Sequence, residues 1–404
     1  MKKFLLSVAV LFTALTASAQ KTTATVELAN APQKTTVTNF NVERIATTTF
    51  KNVALKAPKA APTGDVKKYF LDQAEYVYVL SDTEQGLSLL PRYHAATELI
   101  TSADGFTYMR MPIGENIFKD VPYIKGKLSA DGNTFTIQQQ SIGTVQEGMY
   151  NFEFFFSSIN TNDGSESADP IVFTKNADGV IALKEGAMFG VFVHNGSQSS
   201  LNTLATGTML TTPDMYPAAT THEYEYTSLV EQKKMTGSLE IIEAGNNCLI
   251  KGFVNGNNGW FMGQIDNQRN ITIPNFQIST SDVFMAFLDA STSQIGNAEG
   301  VKFTYNSAND TYTMANNTGV ANCIYSQDDK GEIKLYIYDD GAVNPTFKGK
   351  GTTGIGSVTT ENGEVVATEY FDLSGRRING AQNGVSVKVM KYADGTSKAV
   401  KVIK

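Results

Sequence analysis

The chain has 404 residues, of which 41% are hydrophobic and 10% aromatic, enough to build real cores and too apolar for wholesale disorder. Its 33 basic and 40 acidic side chains give a net charge of −7, and the first 19 residues carry two of the lysines, so that without them it is −9. Such an acidic balance argues against nucleic acid and anionic membrane surfaces as partners.

Lys2 and Lys3 precede a short uncharged apolar run, Phe4 to Thr16, and Ala17-Ser18-Ala19 supplies the small residues of a cleavage site. This pattern predicts a signal peptide cut between Ala19 and Gln20, and hence export. The apolar run falls short of the about 20 residues of a membrane span, so the mature chain is expected to lack a transmembrane segment. No cysteine follows the cut, so a lipid anchor there is not encoded. Residues 20–63 are rich in Thr, Ala and Lys with Pro32, Pro58 and Pro62, and read as a leader: one strand near Thr36–Val42, then a flexible linker.

From Tyr69 onward apolar and polar residues alternate. Tyr76–Leu80, Phe106–Met111, Thr134–Ile137 and Phe152–Phe156 read as strands, separated by Asp-Gly turns at 104–105, 131–132, 163–164 and 178–179. No stretch of twelve residues carries a helical stripe. A second copy follows the first. Tyr123, Gly126 and Leu128 match Trp260, Gly263 and Ile265 at an offset of 137. Phe135 and Ile137 match Ile271 and Ile273 at 136, and Ile171 and Phe173 match Val301 and Phe303 at 130. Phe106 to Pro112 aligns more loosely with Cys248 to Val254. The expected fold class is therefore all-β: two tandem antiparallel β-barrel or β-sandwich repeats, at 64–200 and 215–345, plus a small C-terminal β domain at 354–404. The repeats are expected to sit like beads, joined through a Ser/Thr/Gly-rich junction near Ser199–Ala219.

After the linker-like Gly351-Thr352-Thr353-Gly354-Ile355-Gly356 come three predicted strands: Tyr370–Ile378, Asn383–Val389 and Lys398–Lys404. They carry Asp372-Leu373-Ser374-Gly375-Arg376, then Gly384 leading the second strand, then lysines (Lys401 and Lys404 among them) alternating with Val and Ile. The arrangement over 354–404 resembles the C-terminal sorting domain of the type IX secretion system of Bacteroidetes, although Ser386 stands where that family often has Tyr. The resemblance implies delivery to the cell surface or outer membrane, or release, with the secretion machinery as the tail's partner. More loosely, the body is similar to the calycin-like β-barrel repeats of secreted proteins with such tails.

Motifs for chemistry are sparse. His94, His194 and His222 form no zinc-type pair and are expected at exposed or loop positions. The chain has no Gly-x-Ser-x-Gly elbow and no phosphate-binding glycine pattern, and its Asp/Asn-Gly clusters are explained by turns rather than calcium. No catalytic residue, metal ligand or cofactor is predicted. Trp260, the one tryptophan, follows a turn and precedes Phe261. With its counterpart Tyr123, these aromatics are candidate ligand contacts, with packing at a barrel end the preferred role. Cys248 and Cys323 could pair after export, or remain buried thiols. The function expected is a secreted or cell-surface, non-enzymatic β-barrel protein, ligand-binding or structural, whose ligand would be a glycan, a peptide or a small apolar molecule. The alternatives are a glycan or peptide hydrolase with a split carboxylate site, and an adhesin or fimbria-like subunit.

Overall fold

The computed structural model describes residues 35–37, 53–56 and 61–350 except 82–83, 115–116, 255–258, 281–282, 296–299 and 328–332. Beyond these it describes 352–353, 365–371, 377–378, 380, 385–392 and 397–403. Strands dominate: among the described residues the one helical element is a 3-10 turn, Pro213–Met215. The fold class is all-β. No helix is long and apolar enough to cross a membrane. The chain divides into two compact units, Met1–Thr353 and Gly354–Lys404.

Two closed rings of strands build the larger unit. In the first, Gly64–Ser81 pairs with Glu84–Ser102, and Thr107–Arg110, Tyr123–Leu128 and Thr134–Ile137 follow as neighbours. Thr134–Ile137 pairs onward with Ile171–Lys175, then Ile181–Leu183, then Gln198–Thr211, which returns to Gly64–Ser81 and closes an eight-membered ring. Gln140–Glu147, Tyr150–Ile159 and Met188–Asn195 extend three of these staves toward the other end. The second ring runs Thr220–Ser228, Lys234–Ala244, Asn247–Lys251, Trp260–Ile265, Ile271–Pro274, Gly300–Asn306, Thr311–Thr313 and Ile333–Lys348, closing on Thr220–Ser228. Here Gln277–Thr280, Val283–Asp289 and Thr318–Gln327 extend the staves. Closure removes the exposed edges that open sheets must protect, and it decides between the two architectures left open by the sequence: both repeats are barrels.

The two rings share register as well as order. Phe135 and Ile137 face Phe173 and Ile171 across the ladder, as Ile271 and Ile273 face Phe303 and Val301. Thr107 faces Gly126, and Cys248 faces Gly263. The loose match of Phe106 to Cys248 is therefore one residue out, and Thr107 is the true counterpart. With strand period 2, a slip of one would have turned the interior Met109 and Ile250 outward. Both face inward and are fully buried.

Inward side chains fill the barrels. Phe154, Phe156, Phe173 and Phe189 lie in the first core, and Phe253, Phe261, Phe303 and Phe347 in the second, none more than 2% exposed. The repeated glycines have a packing origin. A Cβ on Gly126 would stand 2.4 Å from the Phe135 ring, and one on Gly263 would stand 3.0 Å from Ile273 and 3.2 Å from Cys248 Sγ. At these positions a neighbouring side chain occupies the space that a larger residue would need.

The barrels are not beads on a linker. Gln198–Thr211 is a wall strand of the first barrel, so the connection shrinks to 212–219 around the 3-10 turn. The hairpin Gly64–Ser81/Glu84–Ser102 overruns the first barrel and meets the second: Tyr93 pairs with Trp260, and Arg92 pairs in parallel with Ile278. Leu90 is buried among Ile278, Phe284, Ala286 and Leu288, while Tyr93 and Tyr216 pack on Ile242, Leu249 and Met262. Part of the expected leader also belongs to the fold. Val53 N donates to Ile117 O and Lys56 N to Thr144 O, and Val53 and Leu55 pack on the first core. The strand expected near Thr36–Val42 is present as Thr35–Val37, paired with Leu87–Leu89; residues 38–42 lie outside those described.

The C-terminal unit is a four-stranded antiparallel sheet of Arg377–Ile378, Val365–Phe371, Val385–Tyr392 and Ser397–Ile403. Ser386 is buried in its middle strand, 1% exposed, and Lys401 lies opposite Val387.

Candidate functional site

The residues singled out from sequence do not converge. Ala19, Gln20, Asp372, Leu373, Ser374, Gly375, Arg376, Gly384 and Lys404 lie outside the described residues. Phe261 points into the second core, and Tyr123, half-buried on the first barrel, donates its hydroxyl to Glu98. Trp260 plugs no barrel end. It lies half-buried where the barrels join, with its ring 5.2 Å from that of His94 and Lys251 Nζ 4.9 Å from it. These three aromatics form no common surface for a ligand. Cys248 and Cys323 form no disulfide: both are free, buried thiols, the first in the second barrel's interior and the second in the cluster that receives Leu90. Burial pushes Cys248 up to about 12 and raises Cys323 too, so neither is a ready nucleophile.

The histidines correct the expectation of exposure. All three lie within strands, and His94 and His222 are 2% and 3% exposed. His222 is held by Lys348 O at 2.7 Å and Thr220 Oγ1 at 2.7 Å. That is a structural role. The other two histidines mark the two polar clusters of the body.

The first cluster lies on the wall of the first barrel and is centred on Glu166. Its Oε1 accepts from Ser157 Oγ at 2.7 Å and Gln139 Nε2 at 2.8 Å. Its Oε2 is 2.6 Å from His194 Nε2 and accepts from Ser199 Oγ at 2.9 Å. Phe155 stacks on the His194 ring at 4.3 Å. Burial would raise the carboxyl, but the bonds from Ser157, His194, Ser199 and Gln139 outweigh it and hold Glu166 below its ordinary value. Residues 159–169, which carry Glu166, leave the barrel wall between Tyr150–Ile159 and Ile171–Lys175 and enclose an open polar pocket of about 500 Å³. The pocket is lined by Asn160, Thr161, Glu166 and Asp169 among others. Four donors use all the acceptor positions a carboxylate has, leaving none for a substrate proton or a nucleophilic water. Both serines donate to the carboxylate and not to the histidine, so the trio is no nucleophilic triad. Among the described residues no group of three His, Cys, Asp or Glu side chains is placed to hold a metal.

Register shows what the second barrel has instead. Phe287, Gln294, Ile324 and Tyr336 stand at the positions of Ser157, Glu166, His194 and Ser199. The same fold closes without this network, so the barrel itself does not require it.

The second cluster is at the joint. Strand pairing skips a residue there, Leu71 facing Ala95 and Gln73 facing Arg92, so that Asp72 stands against both Tyr93 and His94. His94 has φ +53°, a left-handed conformation uncommon for a side-chain-bearing residue. Asp72 satisfies the bulge by accepting from His94 N at 2.6 Å, with Tyr216 OH at 3.5 Å from its other oxygen. Beside it, Arg92 and Glu75 form a buried ion pair at 3.0 Å, and Gln73 ties Glu75, Pro112 O and Thr208 together. A bulge cannot be read from strand alternation. The one legible sign was three charged or amide residues, Asp72-Gln73 and Glu75, inside the otherwise apolar run from Tyr69 to Leu80.

Comparison of the chain with protein-family models, curated proteins and solved structures returned no match. The class is defined by the fold: an all-β protein of two closed barrels joined through a shared hairpin, followed by a separate small sheet.

Proposed function

We propose that this chain is an exported, cell-surface protein whose twin barrels are structural, non-enzymatic elements, delivered by the C-terminal sheet through the type IX machinery. The observation that carries the structural role is the filled interior of both barrels. Barrels that hold a ligand keep a cavity, whereas here eight buried phenylalanines and their aliphatic neighbours occupy the space. The joint supports the same role, because buried side chains from both barrels stiffen the contact between them, as a spacer requires. The saturated, acid-shifted Glu166 speaks against the hydrolase alternative, since a general acid needs a raised carboxyl and a free position. The sorting role draws support from residues 354–404 forming their own unit, with Val385–Tyr392 and Ser397–Ile403 near the second and third expected strands; in place of the expected first strand, Tyr370–Ile378, stand Val365–Phe371 and the short Arg377–Ile378.

Deleting residues 354–404 in a bacterium with type IX secretion tests the delivery step. Protease treatment of intact cells should degrade the full-length protein and spare the truncated one, which should accumulate in the periplasm. Equal surface exposure of the two forms would remove the sorting role.

A further inference from the structure

We propose that the joint between the barrels is a proton-operated clasp: a neutral Asp72 holds the hairpin firmly in the second barrel, and its ionisation loosens that grip. Asp72 is 8% exposed and sits in a bulge of the one hairpin that touches both barrels. Its carboxyl is set among Phe70, His94 and Tyr216, with Trp260 beyond the His94 ring. Among the described residues no cation within hydrogen-bond reach compensates a charge there. The cationic side chains nearby are engaged elsewhere: Arg92 with Glu75 at 3.0 Å, and Lys251 with Glu240 at 2.7 Å.

The other titratable groups facing Asp72 do not change state between pH 4 and 8. His94 is held neutral, its pKa lowered by burial and then by the Lys251 charge to about 3. Tyr93 and Tyr216 are both raised, by burial first and then by Asp72. Among the described residues, the buried Tyr93 OH and His94 Nδ1 at the joint find no hydrogen-bond partner. Both side chains are more than nine-tenths buried, so the joint already carries unmet polar groups before Asp72 ionises. Burial raises Asp72 to about 6, against the lowering effect of the bonds from His94 N and Tyr216 OH. A carboxyl raised in the closed joint favours closure fully below its ordinary value of 3.8. That advantage shrinks as pH climbs through about 6, and is gone above it. Two pKa units correspond to roughly a hundred-fold change in the opening equilibrium.

The barrels are thus more firmly joined below pH 6 than above it. The second barrel shows that the bulge is not needed for closure: its corresponding strands, Thr220–Ser228 and Lys234–Ala244, pair without a break. The device stands where the hairpin leaves one barrel for the other, and it is independent of how the protein reaches the surface.

The chain carries its own reporter. Trp260 is the only tryptophan and lies in the joint. Acrylamide quenching of the mature full chain should rise between pH 5 and 7 with a midpoint near 6, and Asp72→Asn should abolish the rise. Tyr216→Phe, which removes a bond that lowers Asp72, should move the midpoint upward; it keeps the test open should the Asn variant fail to fold. Amide exchange at Tyr93 and Trp260 should accelerate over the same interval in the wild type. A flat wild-type profile, or an unchanged midpoint in a folded Asp72→Asn or Tyr216→Phe protein, would overturn the proposal.

Discussion

Gly126→Ala is the most informative single-atom probe of the barrel interior. The new Cβ would stand 2.4 and 2.6 Å from two carbons of the Phe135 ring and 2.9 Å from Thr136 O. The ring cannot swing away, because Phe135 is 1% exposed and Phe173 packs beside it, ring centres 6.1 Å apart. Overpacking of this kind costs about 1–3 kcal/mol, against a gain of about 0.4–1 kcal/mol from the stiffer unfolded chain. The φ of Gly126 is not left-handed, so backbone strain adds nothing. Its counterpart Gly263 offers a control, since a Cβ there meets side-chain atoms at 3.0, 3.1 and 3.2 Å, a much milder conflict. The expected order is a loss of about 1–2 kcal/mol for Gly126→Ala and less than about 0.5 kcal/mol for Gly263→Ala. Urea unfolding followed by circular dichroism measures both. A Gly126→Ala protein as stable as the wild type would show slack in the first barrel and refute the filled interior.

Three further outcomes follow from named contacts. Leu90→Ala, which empties a site among Ile278, Phe284 and Leu288, should cost about 2–4 kcal/mol and expose Trp260 before global unfolding; a change below about 0.5 kcal/mol would mean that the joint is not packed there. Glu166→Gln replaces an acceptor of four bonds by an amide that must turn its NH₂ toward two of the donors. Local stability of 159–169 should fall by about 1–3 kcal/mol, read as faster limited proteolysis in that segment. The wild type should show the same release in acid: the network's stabilisation starts to fall away below pH 4.5, the ordinary value, and is lost once pH drops through the lower pKa at which Glu166 itself takes up a proton. Finally, the mature chain should react with no more than a trace of a thiol reagent when native and with two equivalents when denatured; a native chain that consumes two equivalents at once would contradict the burial of Cys248 and Cys323.

How much of this was legible depends on how local the determinant is. Phe152–Phe156 and Thr134–Ile137 announce themselves because an alternating strand is a period-2 pattern of neighbours. The duplication was visible at Gly126 and Gly263 because neighbouring side chains crowd that register position in both copies, severely in the first and mildly in the second. The slip at Phe106 arose where the loops differ in length and no glycine fixes the register. Ser199–Ala219 reads as a junction because Ser, Thr and Gly suit a linker as well as an outward strand face, and only ring closure makes Gln198–Thr211 a wall strand. The joint was not legible at all. Asp72, His94 and Tyr216 meet through a bulge and a connection 144 residues away in sequence from Asp72, and Trp260 arrives from the other barrel. Glu166 and His194 likewise become partners only because an excursion folds back over the wall.

The filled barrels can be tested most directly by titrating the mature chain with a fluorescent long-chain fatty acid, a molecule of the length and polarity that an open barrel of eight strands would accept. Barrels packed with phenylalanine should give no saturable signal up to high micromolar concentration. Saturable binding at low micromolar concentration, one molecule per barrel, would show containers rather than structural elements.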